Sequence, residues 1–134
     1  MCFPVTITGG KVAKPSNMYN HVKNQDFFSN IKAQAWWLVA DRMRNTYNAI
    51  HKGMKFNPDE LISISSKVPH LERLKAELST PKRDFDKNGK VKVESKEDLA
   101  KRDVDSPNLA DAFIMGASQH LVVKPQIRQS DMVI

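Results

Sequence analysis

The sequence predicts one α/β domain, mostly helical, and three observations carry that prediction. Apolar residues recur at three- and four-residue steps over residues 30–51, the pattern of one long amphipathic helix. Asn88-Gly89 separates two short segments of alternating polarity, the signature of a β-hairpin. Ser106-Pro107 opens a last apolar run as an N-cap followed by proline at the first helical position. A chain of 134 residues, 40% hydrophobic and 27% charged, has the size and composition of a single soluble domain.

Taken in order, residues 3–8 alternate and are rich in β-branched side chains, with Pro4 near the start, which suits an edge strand ended by Gly9-Gly10. Residues 11–25 show neither helical nor strand period and read as a surface loop. Its Lys11, Lys14 and Lys23 are candidates for phosphate contact, against the simpler reading of a solvated loop. In the long helix Ala33, Trp36, Ala40, Met43, Tyr47 and Ile50 form the apolar stripe, with Ser29 or Asn30 as cap and Gly53 as the stop. Trp36 and Trp37 lie about 100° apart, so one takes the centre of the stripe and the other its flank. Trp36 is expected in the core, and Lys32, Arg42 and Arg44 in solvent.

Asn57 followed by Pro58, Asp59 and Glu60 reads as a short helix or turn, after which Ile62-Ser63-Ile64-Ser65 alternates like a strand. Residues 69–79 form a second helix with Leu71, Leu74 and Leu78 on its apolar side. Residues 82–94 form the hairpin, in which Asn88-Gly89 supplies positive φ angles. Val91, Val93 and Phe85 are expected near one face, with Lys90, Lys92 and Glu94 outward. Ser95 caps a short helix to Arg102, with Asp98 as capping-box partner. The last helix then carries Asp111 near its start. The tail, residues 119–134, has no caps or sustained period and is expected to be poorly ordered or to pack on a neighbour.

No stretch approaches the about 18 apolar residues of a membrane span, and the first residues lack the basic and apolar regions of a secretory signal, so a cytoplasmic chain is expected. The single cysteine, Cys2, permits no intramolecular disulfide, and no Cys/His cluster stands at zinc-ligand spacing. A formal net charge of +6 favours a polyanionic partner. His21, His51, His70 and His120 are scattered and take no chemistry, and neither a phosphate-binding GxxxxGK[ST] loop nor a GxSxG elbow occurs.

Ser-Pro-Asn-Leu-Ala-Asp-Ala at 106–112, preceded by Lys-Val-Glu-Ser-Lys at 92–96, resembles the C-terminal end of the nuclease domain in large terminase subunits of tailed phages and prophages. The order of features agrees: a strand like Phe3-Pro4-Val5-Thr6, a Gly9-Gly10-Lys11 turn, a long Asn- and Trp-containing helix, an Asn-Gly hairpin, a Lys-rich helix and the closing SPxxADA helix. The resemblance implies that residues 1–118 are the later half of a ribonuclease-H-like nuclease domain. It further implies a Mg- or Mn-dependent endonuclease that cuts double-stranded DNA during viral genome packaging in the bacterial host cell, alongside other terminase or portal subunits.

Such a nuclease places three or four carboxylates around two metal ions. In the family the first two acids stand upstream of the strand matching residues 3–8, so only the third, Asp111, has a counterpart here, and the chain alone is expected to be inactive. Of the remaining acids, Asp84 and Asp86 flank the hairpin turn and Asp103 lies in a linker. Asp105, also in the linker, is the one kept as a possible second ligand. Lys96, Lys101 and Arg102 precede Asp111 and are candidates to steer a DNA backbone toward it, against the equal alternative of a solvated helix face. Without their usual cover, the strand at 3–8 and the Trp36 face are expected to drive self-association. The alternative function is a non-catalytic basic module that binds DNA or an assembly partner.

Overall fold

The computed structural model describes residues 10–121. The expected edge strand at 3–8 lies outside them, as does the tail beyond Leu121. The described chain is mixed but mostly helical; its strands form two small antiparallel pairs, and one isolated parallel bridge joins Phe28 to Val91. β1 (Met18–Tyr19) pairs with β2 (Val22–Lys23), and β3 (Arg83–Phe85) pairs with β4 (Val91–Val93).

The segment read as an unstructured loop is in fact pinned at both ends of its course. Asn20 and His21 both take positive φ, 46° and 68°, and make the two-residue turn between β1 and β2. A four-residue helix, α1 (Asn24–Phe27), follows. The anchors are buried amides. Gln34 accepts from the Ala13 amide at 2.7 Å and donates to the Ala13 carbonyl at 3.0 Å, copying a strand ladder with one side chain. Asn24 donates to the Lys14 carbonyl at 3.0 Å. Buried backbone groups must find partners, and here two carboxamides supply them without a sequence period to announce it.

α2 (Ile31–Lys52) begins where the Asn30 side chain accepts from the Ala33 amide and ends at Gly53, whose φ of 64° places it in the left-handed region. Trp36 is in the core, as expected, with Ala33, Ala35 and Val39. The stripe differs from the expected one beyond Val39: Ala40 is exposed, and Tyr47 and Ile50 are 57% and 71% exposed. Nor is Arg42 solvated. Its guanidinium donates to the Leu61 carbonyl at 3.0 and 3.1 Å and to that of Ala117 at 3.4 Å.

That arrangement explains why Ile62 to Ser65 is no strand. Asn45 donates to the Glu60 carbonyl, and the Thr46 hydroxyl accepts from the Ile62 amide at 2.9 Å. The extended segment is therefore satisfied by side chains of α2 rather than by a neighbouring strand. The single 3-10 turn at Pro58–Glu60 before it carries a capping box between Asn57 and Glu60.

α3 (Leu71–Ser79) buries Leu74 and packs on the last helix. In the following hairpin the loop is longer than a two-residue turn. Asp86 and Lys90 close it, Gly89 alone takes a positive φ of 78°, and the Asp86 carboxylate accepts from the amides of Asn88 and Lys90. Val91 is buried, and the Ser29 amide donates to its carbonyl at 2.8 Å, seating the hairpin at the entrance to α2. Phe85, by contrast, is half exposed, with the Arg83 guanidinium 4.8 Å from its ring and 4.8 Å from that of Trp37.

α4 (Lys96–Lys101) is capped by Ser95, whose hydroxyl accepts from the Asp98 amide, and it buries Leu99. α5 (Asn108–Ala117) buries Ala110 and Ile114 against Ala35, Trp36, Val39 and Leu74. Part of the tail expected to be poorly ordered or to pack on a neighbour belongs to this core instead: Gln119–Leu121 form a 3-10 turn, and Leu121 is buried.

Candidate functional site

α5 starts one residue later than the Ser-Pro pair suggests. Pro107 is the N-cap and has no side-chain donor or acceptor to offer, while the Ser106 hydroxyl turns to Asn108. The free amide at the third helical position is instead satisfied from another helix: Glu77 of α3 accepts from the Ala110 amide at 2.8 Å. Its other carboxylate oxygen accepts from Arg73 at 2.9 Å. Burial pushes the Glu77 carboxyl up, but the Ala110 amide and the Arg73 guanidinium outweigh it and hold the group below the usual carboxylate range. Nothing in the sequence pointed to Glu77, because the contact joins residues far apart in the chain.

Asp111 follows at once, its amide bonded to the Pro107 carbonyl. Its side chain is 21% exposed and lies 3.5 Å from the Lys96 ammonium, which α4 presents from its first turn. Two of the sequence candidates are thus brought together. Asp105 is not brought to them by any bond. It is exposed and lines a cleft of about 260 Å³ with Arg73, Glu77, Thr80, Leu99 and Pro107, a cleft that Asp111 does not line.

The other two basic candidates have acidic partners. Lys101 lies 3.2 Å from Asp98, with 77% of its side chain exposed. Arg102 donates twice to Glu94, at 2.8 and 2.7 Å, and once to the Thr80 carbonyl at 3.4 Å. Glu94, expected to face outward, is buried, because it also accepts from the Lys82 amide at 3.0 Å and so ties the hairpin to the end of α4. The Arg102 guanidinium holds the Glu94 carboxyl below its usual range, against the effect of burial.

The remaining acids are engaged in local structure. Asp84 pairs with Lys92 at 3.4 Å, Asp86 organises the hairpin turn, and Asp103 sits at a positive φ of 56° after α4. Of the histidines, His21 makes the first hairpin turn and His51 stacks on Tyr47 at 4.4 Å between ring centroids. Burial, followed by the charges of Arg42 and Lys14, lowers the His120 pKa.

A divalent ion of the Mg or Mn type asks for several fixed oxygen ligands. Among the described residues no group of three or more His, Cys, Asp or Glu side chains is placed to hold one. Asp111 offers a single carboxylate with a cation beside it. The described residues therefore do not fit such an ion by themselves.

No protein-family profile and no curated protein matches the chain. Solved structures do. The nuclease domain of the large terminase subunit gp2 of bacterial virus Sf6 is 34% identical, with a TM-score of 0.68 over 78% of this chain and 50% of that one. A mutant of that domain with manganese is 32% identical with a TM-score of 0.65, and a mutant with calcium 32% identical with a TM-score of 0.66, over the same shares. The chain spans about half the length of these structures. Also, no helix among the described residues is long and apolar enough to cross a membrane. In sequence identity and in fold, the chain is similar to part of the nuclease domain of a phage large terminase subunit.

Proposed function

We propose that the chain acts as one part of a metal-dependent endonuclease of the terminase type, cutting double-stranded DNA during packaging of a viral genome. Asp111 is its contribution to the metal site. The observation that supports this is the setting of Asp111: a partly exposed carboxylate on the first turn of a well-packed helix, bound to one lysine only, in a chain 34% identical to a terminase nuclease domain. The acids that close turns and caps here, Glu77, Asp86 and Glu94, each hold at least two donors, whereas Asp111 has one lysine. The carboxylates that complete the ion's coordination would come from outside residues 10–121.

In this reading Lys96 and Lys101 meet the DNA backbone, since exposed lysines exchange a weak surface ion pair for phosphate at little cost. Arg102 is committed to Glu94 and contributes by holding α4 in place. Other terminase or portal subunits would be the protein partners. The Trp36 face expected to drive self-association is covered, since Trp36 is buried with Leu74, Ala110 and Ile114; copies of the chain would instead associate through the apolar surface at the end of α2, where Tyr47, Ile50 and Met54 are exposed. Sedimentation at tens of micromolar tests that point, and a lone monomer counts against it.

A second reading, a non-catalytic basic module that binds DNA or an assembly partner, is favoured by the net charge of +6 and by the single acid at the site. Incubating the chain with supercoiled plasmid and Mn²⁺, while measuring duplex DNA binding by fluorescence anisotropy, separates the two. Part of a divided nuclease site gives no nicking alone, and joining it to the missing part of the domain restores cleavage. A binding module gives salt-sensitive binding and no cleavage in either case.

A further inference from the structure

We propose that Glu77 is a positioning residue for Asp111: a carboxylate lent by α3 that closes the first turn of α5 and so fixes the backbone from which Asp111 projects. The proposal rests on the reading of Asp111 as the functional carboxylate, but its test reads the backbone and stands or falls separately from any nuclease activity.

A helix start leaves its first amides without intrahelical partners, and a side-chain acceptor normally comes from the N-cap residue to the second or third amide. α5 cannot do this, because its N-cap is Pro107, and Ser106 spends its hydroxyl on Asn108. Glu77 supplies the acceptor from another helix, with one oxygen 2.8 Å from the amide of Ala110, the third helical residue. The side chain has little freedom to leave. Only 16% of it is exposed, and Arg73, one turn earlier on α3, holds the second oxygen at 2.9 Å.

A carboxylate at a helix N-terminus also opposes the positive end of the helix dipole favourably. Asp111 is the next residue after Ala110, and its own amide closes on the Pro107 carbonyl, so both amides of this turn are held before Asp111 reaches Lys96. The other charged side chains that share the cleft with Glu77 are Arg73 and Asp105. Only Arg73 bonds to Glu77, so the cap has a dedicated counter-ion and no rival.

Native-state amide exchange on the full chain, with the carboxyl ¹³C resonance of Asp111 followed in parallel, tests this. In Glu77→Ala the amides of Leu109, Ala110 and Asp111 should exchange about five- to tenfold faster, as expected for a lost cap. The Asp111 carboxyl resonance should shift, while the Val39 amide in the middle of α2 keeps its protection. Glu77→Gln retains a carbonyl oxygen in reach of the Ala110 amide and should restore most of the protection and the resonance. If Glu77→Ala does not fold, Glu77→Asp, one methylene short of that amide, takes its place and should show the same local acceleration. Unchanged exchange at residues 109–111 in the Ala or Asp variant would overturn the proposal. So would a Gln variant that behaves like Ala, since the Arg73 ion pair rather than the cap would then be holding the turn.

Discussion

Two carboxylate–cation pairs flank α4, and they are built to different standards. At its C-terminal end Glu94 is buried, meets the Arg102 guanidinium through two bonds of 2.8 and 2.7 Å and takes a third from the Lys82 amide. At its N-terminal end Lys96 reaches Asp111 through one contact of 3.5 Å, with 49% of the lysine side chain and 21% of the aspartate exposed. The first pair joins hairpin to helix, and every oxygen has a donor. The second joins two helices loosely and leaves the carboxylate with unused capacity. A buried carboxylate is tolerated only where donors compensate its lost hydration, so Glu94 is explained by the fold. Asp111 gains little from its neighbour, which leaves it the room for another ligand that Glu94 lacks.

The support beneath both pairs is the place where a substitution should cost most. Leu99 is 1% exposed on the inner side of α4, and Leu99→Ala should lose about 2–5 kcal/mol of unfolding free energy in a urea titration. A loss under about 1 kcal/mol would mean that α4 does not anchor either pair.

Glu94→Gln comes next and bears directly on the comparison. It should lower the urea midpoint clearly, because Arg102 and the Lys82 amide lose the charge they share. The pH dependence follows with its sign. Arg102 holds the Glu94 pKa below its ordinary 4.5, and the Ala110 amide and Arg73 do the same for Glu77 against burial. The Asp98 pKa is held below its ordinary 3.8, chiefly by the Ser95 hydroxyl. A depressed folded pKa stabilises above the unfolded value and is lost as pH falls through the folded one. Stability should therefore decline below about pH 4.5, the ordinary glutamate value, and Glu94→Gln should flatten part of that decline. A Gln variant with the acid profile of the parent would contradict the assignment.

Asp111→Ala should be the mildest change, under about 0.5 kcal/mol, as for a partly exposed helix residue with one weak partner. A larger loss in the same titration would move Asp111 into the structural class with Glu94.

The sequence reading succeeded where the cause is local. Asn30 and Gly53 mark the ends of α2, Ser95 and Asp98 form the cap of α4, and Asn88-Gly89 sits in a hairpin, because each depends on residues a few positions apart. It failed where a distant partner decides. Arg42 and Thr46 capture the segment around Ile62, which is why alternation there makes no strand. Gln34, a polar residue on an apolar face, was the available sign that the loop at residues 11–25 docks on α2. Tyr47 and Ile50 keep the right period but run past the helices that bury the first half of α2. The Asp111 site was legible only through the SPNLADA resemblance, and its pairing with Lys96 and its Glu77 cap depended on contacts no short motif encodes.

The most direct measurement joins this chain to the part of the Sf6 gp2 nuclease domain that it does not cover and follows nicking of supercoiled plasmid in Mn²⁺, with and without Asp111→Ala. The expected result is that this chain alone leaves the plasmid intact, the joined protein nicks it, and Asp111→Ala abolishes the nicking while leaving the fold and DNA binding in place. Nicking by the joined protein that survives Asp111→Ala would contradict the account, as would robust nicking by the chain alone.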